Sequence, residues 1–203
     1  MLSGGDSRRM GKDKGLLITR TERPAGETWA ERNIRLLSPF VSETLVSVRR
    51  EQAEAYRAAL GEIPLVFDQG SGRGPLAGLL AAHRLRPASD LLLLACDMQR
   101  VTPALVRRLL DEREENPGSD ALVYRRANGV IEPLLGYYSA PALAVIREQD
   151  DEKSVFPGGV RKILQEGNVV YLPLEPGEEE LLSSFNAPED LEEGNPDPAD
   201  SSR

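Results

Sequence analysis

The sequence predicts an α/β fold in which helices cover both faces of a mostly parallel sheet. Short apolar runs alternate with segments of helical periodicity, which is typical of βα units. The run Leu91–Ala95 is continuously apolar, as expected of a central strand that is covered on both faces. The 203 residues suffice for one such domain, which we expect over 1–191, followed by an acidic, disordered tail over 192–203.

The apolar runs predict six strands, at residues 44–49, 63–67, 91–95, 121–126, 134–139 and 168–174. Only Met1 and Leu2 precede a Gly-rich opening loop, so the first strand is either a stub or the end of a longer element. Helices follow at residues 26–40, 74–85, 104–116 and 139–149, and several begin with Ser, Thr or Pro. We expect residues 49–59 to form a solvated helix face and His83 to lie at the surface.

Composition restricts the function classes. A net charge of −8 argues against a general nucleic-acid binder, which needs a basic face. The apolar run near Leu91 is too short to span a bilayer, so no membrane attachment is predicted. The single cysteine, Cys96, and the lack of an apolar leader favour the cytoplasm. The first fourteen residues are nevertheless basic, which suits one small anionic ligand.

The opening segment reads LSGGDSRRMGKDK over residues 2–14. It is not a P-loop, because five residues rather than four separate Gly5 from Gly11 and Asp13 follows Lys12 where Ser or Thr is required. The dinucleotide-binding fingerprint is also absent. Amides of a glycine turn can contact phosphate oxygens and base edges, and Arg9 and Lys14 can offset the charge of a triphosphate.

The segment resembles the nucleotide loop L-A-G-G-x-x-x-R-M-G-x-D-K of the molybdenum cofactor guanylyltransferases, with Ser3 where the family has alanine. Further matches are Asp68 after a strand, the G-P-L-A-G turn at 74–78, and Asp97 at the end of the central strand. The resemblance covers nearly all of the chain before its tail and implies a Rossmann-like nucleotidyltransferase fold. Ser47 departs from it, because the family carries asparagine there.

The resemblance implies transfer of GMP from GTP to the phosphate of molybdopterin, forming molybdopterin guanine dinucleotide and pyrophosphate. It implies Mg²⁺ held by Asp97, with Arg9, Lys14 and Asp97 as the catalytic groups. The implied nucleotide-binding residues are Leu2, Ser3, Gly4, Gly5, Lys14, Asp68, Gly74, Gly78 and Asp97. Looser matches imply an acceptor side formed by Glu132, Lys153, Arg161 and Asn186. GTP and molybdopterin are the expected partners, and a molybdoenzyme or a chaperone could be another.

Three alternatives stay open at the level of sequence. A cytidylyltransferase for the same cofactor is disfavoured by Gly4 and Gly5, since such enzymes carry L-A-A-G in this loop. A sugar-phosphate nucleotidyltransferase is disfavoured by the short chain. Ser47 and Ala187 depart from the family pattern, which leaves a non-catalytic nucleotide-binding relative, and pyrophosphate release would distinguish that protein from an enzyme.

Overall fold

A computed structural model describes residues 1–3, 13–18, 26–67, 74–152 and 160–185. Its helices are α1 (Trp29–Leu37), α2 (Ala53–Leu60), α3 (Pro75–Leu85), α4 (Pro103–Glu115), α5 (Ala140–Glu152) and α6 (Val160–Glu166). Its strands are β1 (Val46–Val48), β2 (Leu65–Phe67), β3 (Leu91–Leu94), β4 (Ala121–Arg125), β5 (Ile131–Tyr138) and β6 (Val169–Pro173). Short 3₁₀ helices span Lys14–Leu16, Arg50–Gln52 and Glu178–Leu182. The expected domain boundary at residue 191 and the tail lie outside the described residues.

The opening residues Met1–Ser3 join two groups of strands. One group is the parallel pair β1–β2, and the other has the order β3–β5–β4–β6. Leu2 forms parallel bridges to Ser47 on one side and to Ala95 on the other. The Leu2 amide donates to the Leu94 carbonyl at 2.9 Å, and the Ser3 amide donates to the Ser47 carbonyl at 2.8 Å. Met1–Ser3 therefore acts as a short strand between β1 and β3.

Strand β5 runs against both of its neighbours. Its pairings with β3 and β4 are antiparallel, whereas β1–β2 and β4–β6 are parallel. The reason lies in the connection from β4, which is a tight turn closed by the Arg126 amide on the Val130 carbonyl, with Gly129 at φ 85°. A short connection can join only antiparallel strands. β5 also begins at Ile131, three residues before the predicted start at 134.

Helices cover both faces of the sheet, as predicted. Alternate residues of β4 point to opposite sides: Leu122 and Tyr124 belong to one buried cluster, and Ala121 and Val123 to another. The first cluster includes apolar residues of α1 and α4, and the second includes those of α3, α5 and α6. This places the central strands in a three-layer arrangement.

Several helix starts match the sequence signals. Thr28 and Glu31 form a capping box before α1, and the Thr102 side chain caps α4. α3 has Pro75 in its first turn after Gly74. Gly74 has φ +53°, a conformation that L side chains rarely adopt, which explains glycine there.

Two surface expectations are wrong. His83 is fully buried, because α3 carries apolar residues around most of its circumference and packs against the sheet and α5. The segment 49–59 is not a purely solvated face either, since Tyr56 of α2 is fully buried. Its hydroxyl group has polar partners that the sequence pattern did not reveal.

A cavity of about 290 Å³ lies at the start of the opening strand. Apolar side chains line it from both sides of the sheet, among them Leu37, Leu79, Ala82 and Leu110. The Met1 ammonium group is buried beside this cavity and donates to the Leu45 carbonyl at 2.7 Å. Burial lowers the pKa of this ammonium group to about 5.

None of the helices in the described part of the chain combines the length and the apolar character needed to cross a membrane.

Candidate functional site

The structure brings Lys14 and Asp97 together at the carboxyl ends of the opening strand and β3. The Lys14 ammonium group donates to Asp97 Oδ2 at 2.9 Å. The two side chains are 15% and 18% exposed, so the pair is shielded but reachable. Ligands of open α/β sheets bind in the crevice at the carboxyl ends of the strands. A cation and a carboxylate in that crevice suit a phosphate ligand and a hard metal ion.

Side-chain amides hold the turn that carries Asp97 by donating to its main-chain carbonyl groups. Asn33 of α1 donates from Nδ2 to the Ala95 carbonyl at 3.2 Å and to the Cys96 carbonyl at 3.4 Å. Gln99 donates to the same Cys96 carbonyl at 2.6 Å. The Cys96 carbonyl thereby has two donors, and the Ala95 carbonyl accepts from Asn33 in addition to the Met98 amide at 3.3 Å. These hydrogen bonds fix the direction in which the Asp97 side chain leaves the strand.

Two neighbours complete this turn. Cys96 is a buried core residue, and burial raises the pKa of its thiol to about 12, so the thiol stays protonated. The Phe185 amide donates to the Asp97 carbonyl at 3.0 Å, and the Phe185 ring contacts Trp29 edge to face. The end of the described chain is thereby attached to the Asp97 turn.

Asp13 is the residue before Lys14. Side chains of α2 and of the 3₁₀ helix Arg50–Gln52 hold its carboxylate. Its Oδ1 accepts a hydrogen bond from the Tyr56 hydroxyl at 2.6 Å and from the Gly15 amide at 3.2 Å. Gln52 donates to Oδ2. Both carboxylate oxygens of Asp13 therefore accept hydrogen bonds from protein groups.

Glu132 lies on β5 within electrostatic range of Asp97. Burial raises the pKa of the Glu132 carboxyl group, and the charge of Asp97 raises it further. The Leu134 amide, which donates to Oε1 at 3.2 Å, and the charge of Arg126 oppose that rise. A second carboxyl group thus lies within electrostatic range of Asp97, at a position that the sequence match assigns to the acceptor side.

Gly78 allows α3 to approach the opening strand. A Cβ atom at Gly78 would lie 2.4 Å from Ser47 Oγ and 2.5 Å from Leu2 Cδ2. Real Cβ atoms do not come this close, so the position requires glycine for packing. Leu2, Ser3 and Ser47 lie where the opening strand pairs with β1. Gly74 is the N-cap residue of α3.

The remaining sequence-predicted site residues are not described. Gly4, Gly5, Arg9, Asp68, Lys153 and Asn186 lie outside the described residues, and of Arg161 only the backbone, in α6, is described. Within the described ranges there is no group of three or more His, Cys, Asp and Glu side chains that could hold a metal ion.

Sequence reasoning missed three polar residues that shape this site: Asn33, Gln52 and Tyr56. Asn33 lies among apolar residues of α1 and is fully buried, and a lone amide on an apolar helix face was the available signal. Gln52 and Tyr56 belong to a segment rich in charge, where nothing in the pattern separates them from solvated neighbours.

Comparison with known proteins finds a matching family model and similar relatives. The model of the family described as MobA-like NTP transferase domain matches residues 1–170. A relative from Opitutus terrae, named a probable molybdenum cofactor guanylyltransferase, is 37% identical over 197 residues, covering 94% of this chain and 90% of the relative.

Solved structures share the fold. Molybdopterin-guanine dinucleotide biosynthesis protein A from Archaeoglobus fulgidus is 28% identical, with a TM-score of 0.72, covering 95% of this chain and 93% of that one. A Mycobacterium tuberculosis protein solved in complex with manganese is 22% identical, with a TM-score of 0.59 and 85% of each chain covered, which shows the fold alone. These likenesses confirm the expected nucleotidyltransferase fold.

Proposed function

The chain belongs to the MobA-like NTP transferase family, and from that premise we propose that it transfers GMP from GTP to the phosphate of molybdopterin. The products are molybdopterin guanine dinucleotide and pyrophosphate. The similarity to guanylyltransferases of the molybdenum cofactor supports this reaction. The observation that carries it in the structure is the Lys14–Asp97 pair, 2.9 Å apart in the crevice at the strand ends.

The reaction is an in-line displacement at phosphorus. An oxygen of the acceptor phosphate forms a bond to the α-phosphorus of GTP, and the bond from that phosphorus to the bridging oxygen of pyrophosphate breaks. The acceptor is already an anion, so no general base is required. Positioning and charge neutralisation are then what the protein supplies.

Lys14 and Arg9 are the proposed cationic groups. Lys14 is placed to bind triphosphate oxygens and to stabilise the negative charge that develops as pyrophosphate leaves. We assign the same task to Arg9 from its position in the loop motif. Glycine amides at Gly4, Gly5 and Gly74, with Asp68, are the proposed contacts to the nucleotide.

Asp97 fits the role of a magnesium ligand. Its carboxylate is a hard oxygen donor at a strand end, and Mg²⁺ in nucleotide sites is usually held by one or two carboxylates together with phosphate oxygens. When bound, Mg²⁺ would supply charge neutralisation to the phosphates, and Asp97 would keep it in register with Lys14.

The acceptor is proposed to lie on the β5 side of the crevice. Glu132 is the described candidate there, and Lys153, Arg161 and Asn186 are proposed from the sequence match. Basic residues suit the phosphate of molybdopterin. We propose the cytoplasm as the compartment, in keeping with a single buried thiol.

Substitution at Asp97 tests the proposal. We expect Asp97→Ala to lower GMP transfer by at least about a hundredfold, because a group that organises transition-state charge is lost. Asp111→Asn, a change of an exposed carboxylate on α4, serves as the control and should leave the rate unchanged. An Asp97→Ala variant that transfers GMP at the parent rate would contradict the proposed role of Asp97 and with it the proposed mechanism.

A further inference from the structure

Tyr56 of α2 bridges the two ends of the Gly-rich opening segment. Ser3 lies near the start of that segment, which spans residues 2–14, and Asp13 lies near its end. The Tyr56 hydroxyl lies 2.6 Å from Ser3 Oγ and 2.6 Å from Asp13 Oδ1. Tyr56 is fully buried and Ser3 is 3% exposed, so water competes little for these hydrogen bonds.

The direction of these hydrogen bonds follows from the groups themselves. A phenol has one proton, and an ionised carboxylate can only accept. The Tyr56 proton therefore goes to Asp13, and the Ser3 hydroxyl donates to the phenol oxygen. Burial and the neighbouring Asp13 carboxylate raise the pKa of Tyr56 well above its usual value, so the donor persists at any working pH.

Gln52 holds the other oxygen of Asp13. Its Oε1 accepts from the Arg49 amide at 2.7 Å, which turns its NH₂ group toward Asp13 Oδ2. Gly15 completes the packing, because a Cβ there would lie 2.1 Å from the Tyr56 hydroxyl oxygen and 2.3 Å from Ser3 Oγ. Three donors thus hold the Asp13 carboxylate: the Tyr56 hydroxyl, the Gln52 side-chain amide and the Gly15 backbone amide. The backbone that follows Asp13 therefore has little freedom.

We infer that Tyr56 and Gln52 are positioning residues for nucleotidyl transfer: through the Asp13 carboxylate they fix the backbone from which Lys14 reaches the phosphates. Lys14 follows Asp13 directly and begins the 3₁₀ helix that Asp13 caps. A lysine side chain has many rotamers, so fixing its backbone limits the entropy lost when its ammonium group binds phosphate. The inference rests on the proposed function and adds to it the residues that fix the backbone at Lys14.

The variant Tyr56→Phe removes the hydroxyl and keeps the ring. We expect kcat for GMP transfer to fall about tenfold or more, because a hydrogen bond to a charged group that orders the site is lost. The control is Tyr124→Phe, which removes another fully buried tyrosine hydroxyl, one that donates to the Leu105 carbonyl at 2.7 Å. The two variants should lose similar melting temperature, but Tyr124→Phe should keep the parent kcat.

Repeating the substitution in a Lys14→Ala background separates positioning from a general structural effect. If Tyr56 acts through Lys14, Tyr56→Phe causes no further loss of kcat when Lys14 is absent. An equal loss in both backgrounds, or a Tyr56→Phe variant with parent kcat, overturns the inference while the proposed function stands. A parent protein that transfers no GMP overturns both.

Discussion

At the scale of single residues, His83 shows how burial controls a charge. It is the only histidine of the sequence, it is fully buried, and both ring nitrogens lack hydrogen-bond partners among the described residues. Burial lowers its pKa below 6.5, and the charges of Arg147 and Arg84 lower it further. The folded protein therefore keeps this ring neutral at a pH where the unfolded chain would protonate it.

The consequence is a pH-dependent stability. Because the folded pKa is the lower one, the unfolded state binds the extra proton, and the free energy of unfolding falls as pH drops below about 6.5. Replacing His83 with leucine removes this contribution and suits the apolar surroundings. Urea unfolding between about pH 7.5 and pH 5.5 should show a steeper loss for the parent than for His83→Leu. Equal slopes would contradict the assignment.

Some residues of the candidate site could be predicted from the sequence, and others could not. Lys14 and Asp97 were predictable as one site, because a motif and a strand end place both at the same edge. Tyr56 and Asn33 were not, because their roles depend on which helix face turns inward, and that is decided by packing. A buried hydroxyl or amide is recognised only once its partner, here Asp13 or the Ala95 carbonyl, has a position.

At the scale of elements, the contact of α3 with the opening strand depends on Gly78. We expect Gly78→Ala to reduce the free energy of unfolding by about 1–3 kcal/mol, because overpacking outweighs the better helix propensity of alanine. Gly118→Ala is the matched control, since a Cβ there meets nothing within 4 Å. Denaturant unfolding compares the two, and a Gly78→Ala variant as stable as the parent would contradict the packing.

The opening strand offers a second test at this scale. The Met1 amino group is buried beside a cavity of about 290 Å³ that apolar and polar residues line together. An added apolar segment, Ile-Val-Ile ahead of Met1, would convert that amino group into an amide and extend the strand into the cavity. We expect the melting temperature to rise by at least about 3 °C, since burial of one aliphatic side chain contributes about 1.5–3 kcal/mol and each kcal/mol corresponds to about 2–4 °C at this chain length.

The control for that variant is the extension Gly-Ser-Gly, which also converts the buried amino group into an amide but supplies no apolar side chains. Its melting temperature should rise less. The same rise with both extensions would mean that the cavity does not accept apolar side chains, and that removal of the buried amino group with its lowered pKa accounts for the gain.

Element directions were only partly readable from the sequence. Apolar runs located all six strands, and Thr and Pro signals located the starts of α3 and α4, whereas α1 begins at Trp29 rather than at the predicted residue 26. The antiparallel direction of β5 was missed, because it depends on the short turn around Gly129 rather than on any apolar pattern. The role of Met1–Ser3 depended on pairing with β1 and β3, which only the fold reveals.

At the scale of the whole molecule, the described residues of the candidate site lie at one edge of the sheet. Lys14 and Asp97 come from separate parts of the chain and form an ion pair there, and Glu132 lies on the neighbouring strand β5 within electrostatic range of Asp97. The strand order accounts for this arrangement, because the opening strand, β3 and β5 are neighbours in the sheet.

The most direct measurement is pyrophosphate release by the purified chain with Mg²⁺ and molybdopterin, supplied in turn with GTP, CTP and UTP. We predict release with GTP that depends on molybdopterin, with CTP and UTP slower by at least about a hundredfold. Mass spectrometry should identify molybdopterin guanine dinucleotide as the second product. Release with CTP at the rate seen with GTP, or release that is independent of molybdopterin, would contradict guanylyl transfer.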